Sequence, residues 1–285
     1  MPQLSRRQFA LGGLLGSLGT LSGAGFIGYN AYFASPFEPQ LERIEAILPR
    51  GHENLAGLRI GFMADTHLGP SMGEDDVARA AAMLAKEQPD LVLLGGDYVS
   101  ASTRYAAPVA AIFAEFLRQT PLGVFAVLGN HDVGELGRDK IVTAALEGVG
   151  IVVLRNSSAL VETGRGQLWL AGVDEALMAR ADPVATFASI PTNAAKLALW
   201  HEPDFARHTA RQGAFMQLSG HSHGGQVRLP GFGPLFLPKG AERYVIGMNH
   251  SEGMPVYTTR GVGVFQPPIR INCPPEVTLI TLVSS

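Results

Sequence analysis

Short apolar runs alternate with segments of helical periodicity along most of the chain. Apolar runs bounded by Gly, Pro or charged residues are typical of buried strands. They predict strands at Leu58–Ala64, Leu91–Leu94, Gly123–Leu128, Ile151–Leu154, Leu168–Val173, Leu197–Trp200 and Phe215–Leu218. Helical spacing predicts helices at Glu74–Lys86, from Pro108 onward, near Arg138–Leu146, at Pro183–Ser189 and at Asp204–Gln212. After Gly225 the pattern is β-rich, with strands predicted at Gln226–Pro230, Pro255–Thr259 and Val277–Leu282. This order predicts an α/β fold of two packed mixed β-sheets flanked by helices.

The first residues of the chain differ from the rest. Arg6 and Arg7 precede a stretch, from Gln8 to Phe37, that contains no charged residue. Paired arginines before a moderately apolar run have the form of a twin-arginine bacterial export signal. We interpret residues 1–34 as this signal or a membrane anchor. The alternative is an ordinary N-terminal membrane helix, which the glycines of this stretch disfavour.

The signal has consequences for location and for domain boundaries. We expect an exported protein, periplasmic or anchored to the outer face of the cytoplasmic membrane, that uses the twin-arginine export machinery. Residues 35–54 contain three prolines and are interpreted as a linker with a candidate edge strand at Ile44–Leu48. Residues 55–285 are then the folded domain.

Charge and cysteine content exclude two kinds of protein. The chain has 22 Lys and Arg against 25 Asp and Glu, a net charge of −3. This balance argues against a nucleic-acid partner bound through a basic surface. The single cysteine, Cys273, excludes an intrachain disulfide and a thiolate zinc cluster. The 8 histidines are the unusual feature, and their positions direct attention to metal binding.

Clusters of Asp, Asn and His directly follow several predicted strands. The clusters are Asp65-Thr66-His67, Gly95-Gly96-Asp97, Gly129-Asn130-His131-Asp132, His201 and Gly220-His221-Ser222-His223. Each alone has an ordinary explanation as a turn former, a helix cap or a structural histidine. Together they are harder to dismiss, because the carboxyl ends of strands are where open α/β folds build their sites.

In this order the motifs D-x-H, G-D, G-N-H-D, H and G-H-x-H resemble those of the calcineurin-like metallophosphoesterases, over about Leu55–Leu282. The resemblance implies that one metal ion is held by Asp65, His67 and His223, a second by Asn130, His201 and His221, and both by a bridging Asp97. Nitrogen and oxygen ligands without thiolate suit Mn, Fe, Zn or Co as the two divalent ions. The family usually has Glu where Asp132 stands and often Thr where Ser222 stands, and both changes keep the chemistry.

Two further residues have roles that the resemblance implies. His131 is expected to point at the oxygen of the leaving group and to protonate it. Asp132 is expected to orient the His131 ring, and a turn-capping role is at least as compatible with its position.

The resemblance implies that residues 55–285 form a metallophosphoesterase domain. It implies hydrolysis of a phosphodiester or pyrophosphate bond by in-line attack of a metal-bridging hydroxide. The substrate would be a phosphorylated small molecule or a phospholipid-like molecule. Residues 220–227 and 269–276 are similar to a narrower branch of exported or membrane-anchored phosphodiesterases, with relatives that cleave UDP-2,3-diacylglucosamine. One alternative is therefore that pyrophosphatase activity of lipid A metabolism, and another is a non-catalytic metal-holding scaffold.

The apolar loop Gly231–Lys239 directly follows the last histidine cluster. It is either a lip that accepts a lipid chain or lies on a membrane surface, or a hairpin packed against the core. Several basic residues are candidates for contact with a second phosphate, namely Arg228, Lys239, Arg243 and Arg260.

Overall fold

Two six-stranded sheets and their flanking helices make up the computed structural model, which describes residues 37–134 and 137–284. In chain order the strands are β1 Gln40–Ile47, β2 Arg59–Met63, β3 Leu91–Leu94, β4 Val124–Ala126, β5 Val152–Val153, β6 Ser157–Glu162, β7 Gln167–Gly172, β8 Ala195–Leu199, β9 Met216–Ser219, β10 Arg228–Leu229, β11 Gly233–Pro234, β12 Gly247–Ser251, β13 Met254–Thr258 and β14 Glu276–Val283. The α-helices are α1 Glu74–Ala85, α2 Ala106–Leu117, α3 Asn130–Val133, α4 Arg138–Gly148, α5 Pro183–Phe187 and α6 Ala206–Arg211. Short 3-10 turns lie at Glu53–Leu55, Thr103–Tyr105, Pro203–Phe205 and His223–Gly225.

The first sheet has the strand order β1-β14-β2-β3-β4-β5, and the second has the order β12-β13-β9-β8-β7-β6. In the first sheet only β14 and β2 pair antiparallel. In the second, β8 lies parallel between β7 and β9, and the outer pairs β6–β7 and β12–β13 are antiparallel. The prediction of two mixed sheets in an α/β fold is confirmed.

The apolar strands of the first sheet bury both of their faces. Leu91 and Leu93 of β3 point into the core between the sheets, while Val92 and Leu94 pack under the helices. Successive side chains of a strand point to opposite faces, so a strand covered on both sides is apolar throughout. Complete burial of each such side chain contributes about 2 kcal/mol to the free energy of folding.

The stretch interpreted as a linker contributes a complete edge strand to the first sheet. Strand β1 begins at Gln40, earlier than the predicted Ile44, and pairs parallel with β14 over its whole length. The predicted signal or anchor, residues 1–34, lies outside the described residues. Within residues 37–134 and 137–284, no helix is long and apolar enough to cross a bilayer.

Both sheets present the carboxyl ends of parallel strands at the same edge of the molecule. Strands β2, β3 and β4 of the first sheet end there, and so do β8 and β9 of the second. The two edges are joined directly: the His201 ring nitrogen Nδ1 lies 2.7 Å from the Gly95 carbonyl oxygen, and the His221 N–H donates to Asp65. The loops that follow these strands therefore share one location.

Candidate metal centre

The structure brings every predicted metal ligand to this shared edge. Three overlapping groups form, in each of which the ligand atoms lie within 4.8 Å of one another: Asp65, His67 and His223; His67, Asp97 and His131; and Asp97, His201 and His221. Their side chains are buried, except that His131 is half-buried. Oxygen and nitrogen ligands concentrated in a buried pocket form a donor set that suits divalent transition metals.

The first group gathers residues that follow β2 and β9, which belong to different sheets. The ring nitrogens Nε2 of His67 and His223 lie 3.0 Å apart, and Nε2 of His223 lies 3.7 Å from Oδ1 of Asp65. Two imidazole nitrogens this close with a carboxylate beside them favour a shared cation. This group has a composition that fits a divalent metal ion.

The second group is centred on Asp97. Nε2 of His201 lies 3.2 Å from Oδ2 of Asp97, and that same oxygen lies 3.5 Å from Nε2 of His67. Asp97 is thus the carboxylate that stands between the His67 side and the His201 side of the centre. The position is the one a bridging ligand needs.

An unsatisfied polar atom supports the fit of a cation here. The Asn130 Oδ1 atom is buried and has no hydrogen-bond partner within the described residues. A buried acceptor without a partner costs about 1–3 kcal/mol, which a bound cation would remove. Asn130 also lines the same cavity as Asp97 and His221. The residues present therefore fit the metal ions that the sequence predicts.

Hydrogen bonds outside the centre fix the orientation of two of the rings. The Nδ1 atom of His201 faces the Gly95 carbonyl at 2.7 Å, so its Nε2 is left for a metal ion. The Nε2 atom of His221 faces the Lys239 carbonyl at 2.9 Å, so its Nδ1 is left. Such backbone partners set the tautomer and the angle of a metal-binding imidazole.

The electrostatics of the pocket favour ligation. Burial lowers the pKa of His67 to about 3 and that of His221 to about 4, and it holds the pKa of His223 well below its usual value. These rings are therefore neutral at physiological pH, the form that binds metal. Burial also opposes charge on Asp97 and His201, but the attraction between the two side chains outweighs burial. This attraction keeps the pKa of Asp97 low and that of His201 high. A cation that binds here would replace the His201 proton.

Backbone strain is concentrated at the same residues. Asp65, His67, Asp97, His221 and His223 all have positive φ, between 46° and 68°. Residues other than glycine rarely adopt this region, at a cost of about 1–3 kcal/mol each, and such strain clusters at functional sites. The fold holds these five side chains at their positions against local preference.

Close packing at Gly220 requires a residue without a side chain. A Cβ atom at this position would lie 2.4 Å from Oδ2 of Asp65 and 2.8 Å from the Cβ atom of Ala64. The glycine therefore allows the last histidine cluster to approach the first cluster.

We expect Gly220→Ala to displace the Asp65 carboxylate, to lower the free energy of unfolding by about 1–3 kcal/mol and to weaken metal binding. Gly148→Ala is the matched control, because nothing lies within 4 Å of a Cβ atom there. Urea unfolding and metal titration of both variants provide the measurement. Wild-type metal affinity in Gly220→Ala would show that Asp65 does not need this space.

Asp132 supports the backbone of the centre. Its carboxylate accepts hydrogen bonds from the N–H groups of Asp97 at 2.7 Å, Tyr98 at 2.9 Å and Gly129 at 3.0 Å. No hydrogen bond of this carboxylate within the described chain goes to the His131 ring. The capping role is therefore the one observed, and the expected orienting contact with His131 is not.

His131 lies at the rim of the centre. Its ring is edge-on to that of His67, with the centroids 4.7 Å apart, and the backbone N–H of His131 donates to Oδ1 of Asp97 at 2.8 Å. The residue lines two neighbouring cavities. It is therefore placed to meet a substrate that occupies either of them.

An aromatic wall of the site was not predicted from the sequence. Phe265 lies with its ring centroid 5.1 Å from that of His223 and lines both cavities. A signal was present just before it, at Gly261 and Gly263. A Cβ atom at Gly261 would lie 2.6 Å from the Asp65 Cβ atom, and one at Gly263 would lie 2.4 Å from the Thr66 carbonyl oxygen. Glycines two apart thus mark the close approach of this segment to the first cluster.

One of the candidate phosphate contacts is already engaged. Arg260 forms ion pairs with Glu42 at 2.6 Å and with Glu276 at 2.8 Å. It ties the edge strand β1 to β14, which is a structural role. Arg228 donates to the Gly224 carbonyl at 2.8 Å, while Lys239 is exposed.

Comparison with known proteins gives consistent results. The family described as "Calcineurin-like phosphoesterase" matches residues 58–225. Phosphodiesterase YaeI of Escherichia coli is 34% identical over 98% of this chain and 100% of its own length. The uncharacterized metallophosphoesterase YkuE of Bacillus subtilis is 30% identical over the whole of both chains. Among solved structures, a dimetal phosphatase from Danio rerio is similar at a TM-score of 0.46, with 12% identity, over 75% of this chain and 90% of that one.

Proposed function

The chain belongs to the calcineurin-like phosphoesterase family and is a metal-dependent phosphohydrolase, and we propose that it hydrolyses phosphodiester or pyrophosphate bonds with two divalent metal ions. The observation that carries the proposal is the position of Asp97, which lies within reach of His67 on one side and of His201 and His221 on the other. A single carboxylate between two sets of ligands fits a pair of metal ions better than it fits a single ion.

The two ions would be held by the predicted residues. Asp65, His67 and His223 would hold one, and the other would be held by Asn130, His201 and His221, with Asp97 shared. When bound, such ions stabilise charge on phosphoryl oxygens and acidify water near neutral pH. Mn, Fe, Zn and Co all suit this nitrogen and oxygen ligand set.

The remaining chemistry falls to His131. The leaving group of a phosphodiester or pyrophosphate departs as an oxyanion unless a proton reaches its oxygen, and a side chain at the rim can supply that proton. His131 borders the space beside the ligand cluster without being needed in either ligand set. We assign it the proton transfer to the leaving oxygen.

Two cavities support a substrate with two substituents on its phosphate. One, of about 190 Å³, lies between the centre and Phe236 and Pro238. The other, of about 280 Å³, is bordered by His67, Ser71 and Ser100. His131 lines both cavities, so a phosphate near the ligands would have room for one group in each cavity. This supports a diester or pyrophosphate over a monoester.

The preference is tested by comparing hydrolysis of a bis-aryl phosphodiester, the matching aryl monoester and a nucleotide-sugar pyrophosphate by the metal-loaded protein. We expect the diester or the pyrophosphate to be turned over with the higher kcat/KM. A variant that fills the second cavity, Ser71→Phe, should lose diester hydrolysis selectively. Ser158→Phe on edge strand β6 is its matched control. A clear preference for the monoester would contradict the proposal.

We also propose that the enzyme is exported through the twin-arginine route and works in the periplasm or at the outer face of the cytoplasmic membrane. The sequence Arg6-Arg7 before an uncharged stretch supports this. The ligands range from Asp65 to His223, so the centre exists only in the folded chain, which is the form this route exports.

Replacement of Arg6 and Arg7 by Lys is therefore expected to leave an active, metal-loaded enzyme in the cytoplasm. The expectation follows because no predicted ligand lies in residues 1–34. Cell fractionation with an activity assay on each fraction is the measurement. Normal export of the double variant would be inconsistent with the twin-arginine route.

A further inference from the structure

The hairpin that follows the metal centre, residues Arg228–Lys239, exposes large apolar side chains and is called here the apolar hairpin. Phe232 at its turn is 86% exposed, Leu235 is 63% exposed and Phe236 is 60% exposed. One of the two interpretations of its sequence required these side chains to pack against the core, and their exposure shows that they do not. Exposed apolar side chains gathered in one short segment mark a contact surface.

The apolar hairpin is attached to the metal centre. A Cβ atom at Gly225 would lie 2.3 Å from the Pro234 Cβ atom, so the hairpin rests directly on the turn that carries His223. The Phe236 ring packs against that of Phe265, with the centroids 6.0 Å apart, at the mouth of the site cavity. Whatever covers the hairpin therefore lies beside the opening of the active site.

The described chain begins at the same end of the molecule. The Gln40 N–H donates to the Pro275 carbonyl at 2.8 Å, and the segment leading to Pro275 pairs with the hairpin base through the bridge between Val227 and Ile271. Strand β1 then runs away from the site toward Ile47, next to β14. The described residues thus begin on the side of the hairpin.

The charge of the segment matches an anionic surface. From Gln226 to Ala241 there is no acidic residue, while Arg228 and Lys239 flank the apolar turn. Apolar side chains between basic ones are typical of segments that lie in the headgroup region of a membrane.

We propose that the apolar hairpin contacts the surface of an anionic phospholipid bilayer and holds the mouth of the metal centre at the lipid headgroups. Phe232 and Leu235 enter the interface, and Lys239 lies at the level of the phosphates. A protruding turn of two or three apolar side chains suits shallow insertion of about 5–10 Å into a bilayer. It suits less well the broad, flat surface of a protein partner. The proposal rests on the geometry of the hairpin and not on the reaction assigned above.

The test uses the full chain with vesicles of phosphatidylglycerol and phosphatidylcholine. An environment-sensitive fluorophore is attached at Leu235→Cys or, as the matched control, at Ile47→Cys. Both native side chains are 63% exposed, and native Cys273 is buried. Ile47 lies at the opposite end of β1, about 23 Å from its start at 3.3 Å per residue.

We expect the label at position 235 to shift to shorter emission wavelength and to be quenched several-fold more by lipid-borne nitroxide than the label at position 47. Vesicles without phosphatidylglycerol should give a weaker shift. Equal quenching at both positions, or a label at position 235 that stays open to an aqueous quencher, would overturn the proposal. Protection of position 235 before vesicles are added would overturn it in favour of a second copy of the chain. None of these signals depends on turnover, so they stand apart from any failure of the proposed reaction.

Discussion

Asp97→Asn is expected to lose bound metal and turnover together. Asp97 lies within reach of both halves of the centre, 3.2 Å from the His201 ring nitrogen and 3.5 Å from that of His67. An amide has almost the same shape but no charge, so it cannot balance two neighbouring cations, which repel each other. Metal ions contribute several kcal/mol to stabilisation of a phosphoryl transition state. A loss of about 4 kcal/mol is roughly a thousandfold in kcat/KM.

The measurement combines elemental analysis of the purified variant with kcat/KM on a soluble phosphodiester. Asp174→Asn is the control, because Asp174 is also buried, follows strand β7 and pairs with Arg155 at 2.8 Å. That variant should lose stability but keep its metal content. Two ions per chain and near-normal turnover in Asp97→Asn would remove Asp97 from the bridging role.

His131→Ala is expected to keep the metal ions and to lose rate according to the leaving group. With an alkoxide leaving group, which needs a proton, we expect a loss of roughly 10²–10⁴-fold in kcat, the range of general acid catalysis. With a nitrophenolate, which departs without help, the loss should be much smaller. The half-buried position of His131 at the rim, between the two cavities, is the structural reason.

The leaving-group series separates this role from ligation. If His131 were a ligand, as its distance from His67 and Asp97 permits, His131→Ala would lose metal and both substrates would suffer equally. His250→Ala on the exposed edge strand β12 is the control and should behave as the wild type. Equal losses on the two substrate types would count against proton transfer by His131.

The centre could be predicted from the sequence because strand order and ligand chemistry both leave local signals. Apolar runs such as Leu91–Leu94 are readable as buried strands, and the Asp and His clusters follow them directly. Asp65 and His223 lie far apart in the chain, but each follows a strand whose carboxyl end reaches the same edge. The family resemblance then implied the proposed division of these residues between two ions.

Other parts of the structure left weaker signals. Strands β6 and β12 were not predicted, because each is the outer strand of the second sheet and its sequence is partly polar, as in Ser157–Glu162. The start of β1 was missed for the same reason. The role of Asp132 depends on four backbone N–H groups, three of them more than thirty residues away in the chain, and no local sequence pattern indicates it. Tertiary contacts decide such cases.

The central claim is that this cluster binds two divalent ions and that hydrolysis depends on both. Stripping the protein with a chelator and then titrating it with Mn²⁺, while following hydrolysis of a soluble phosphodiester, tests it most directly. The account predicts no hydrolysis in the metal-free protein and a rate that rises until two equivalents per chain are bound. Full activity without metal, or saturation of the rate at one equivalent, would contradict it.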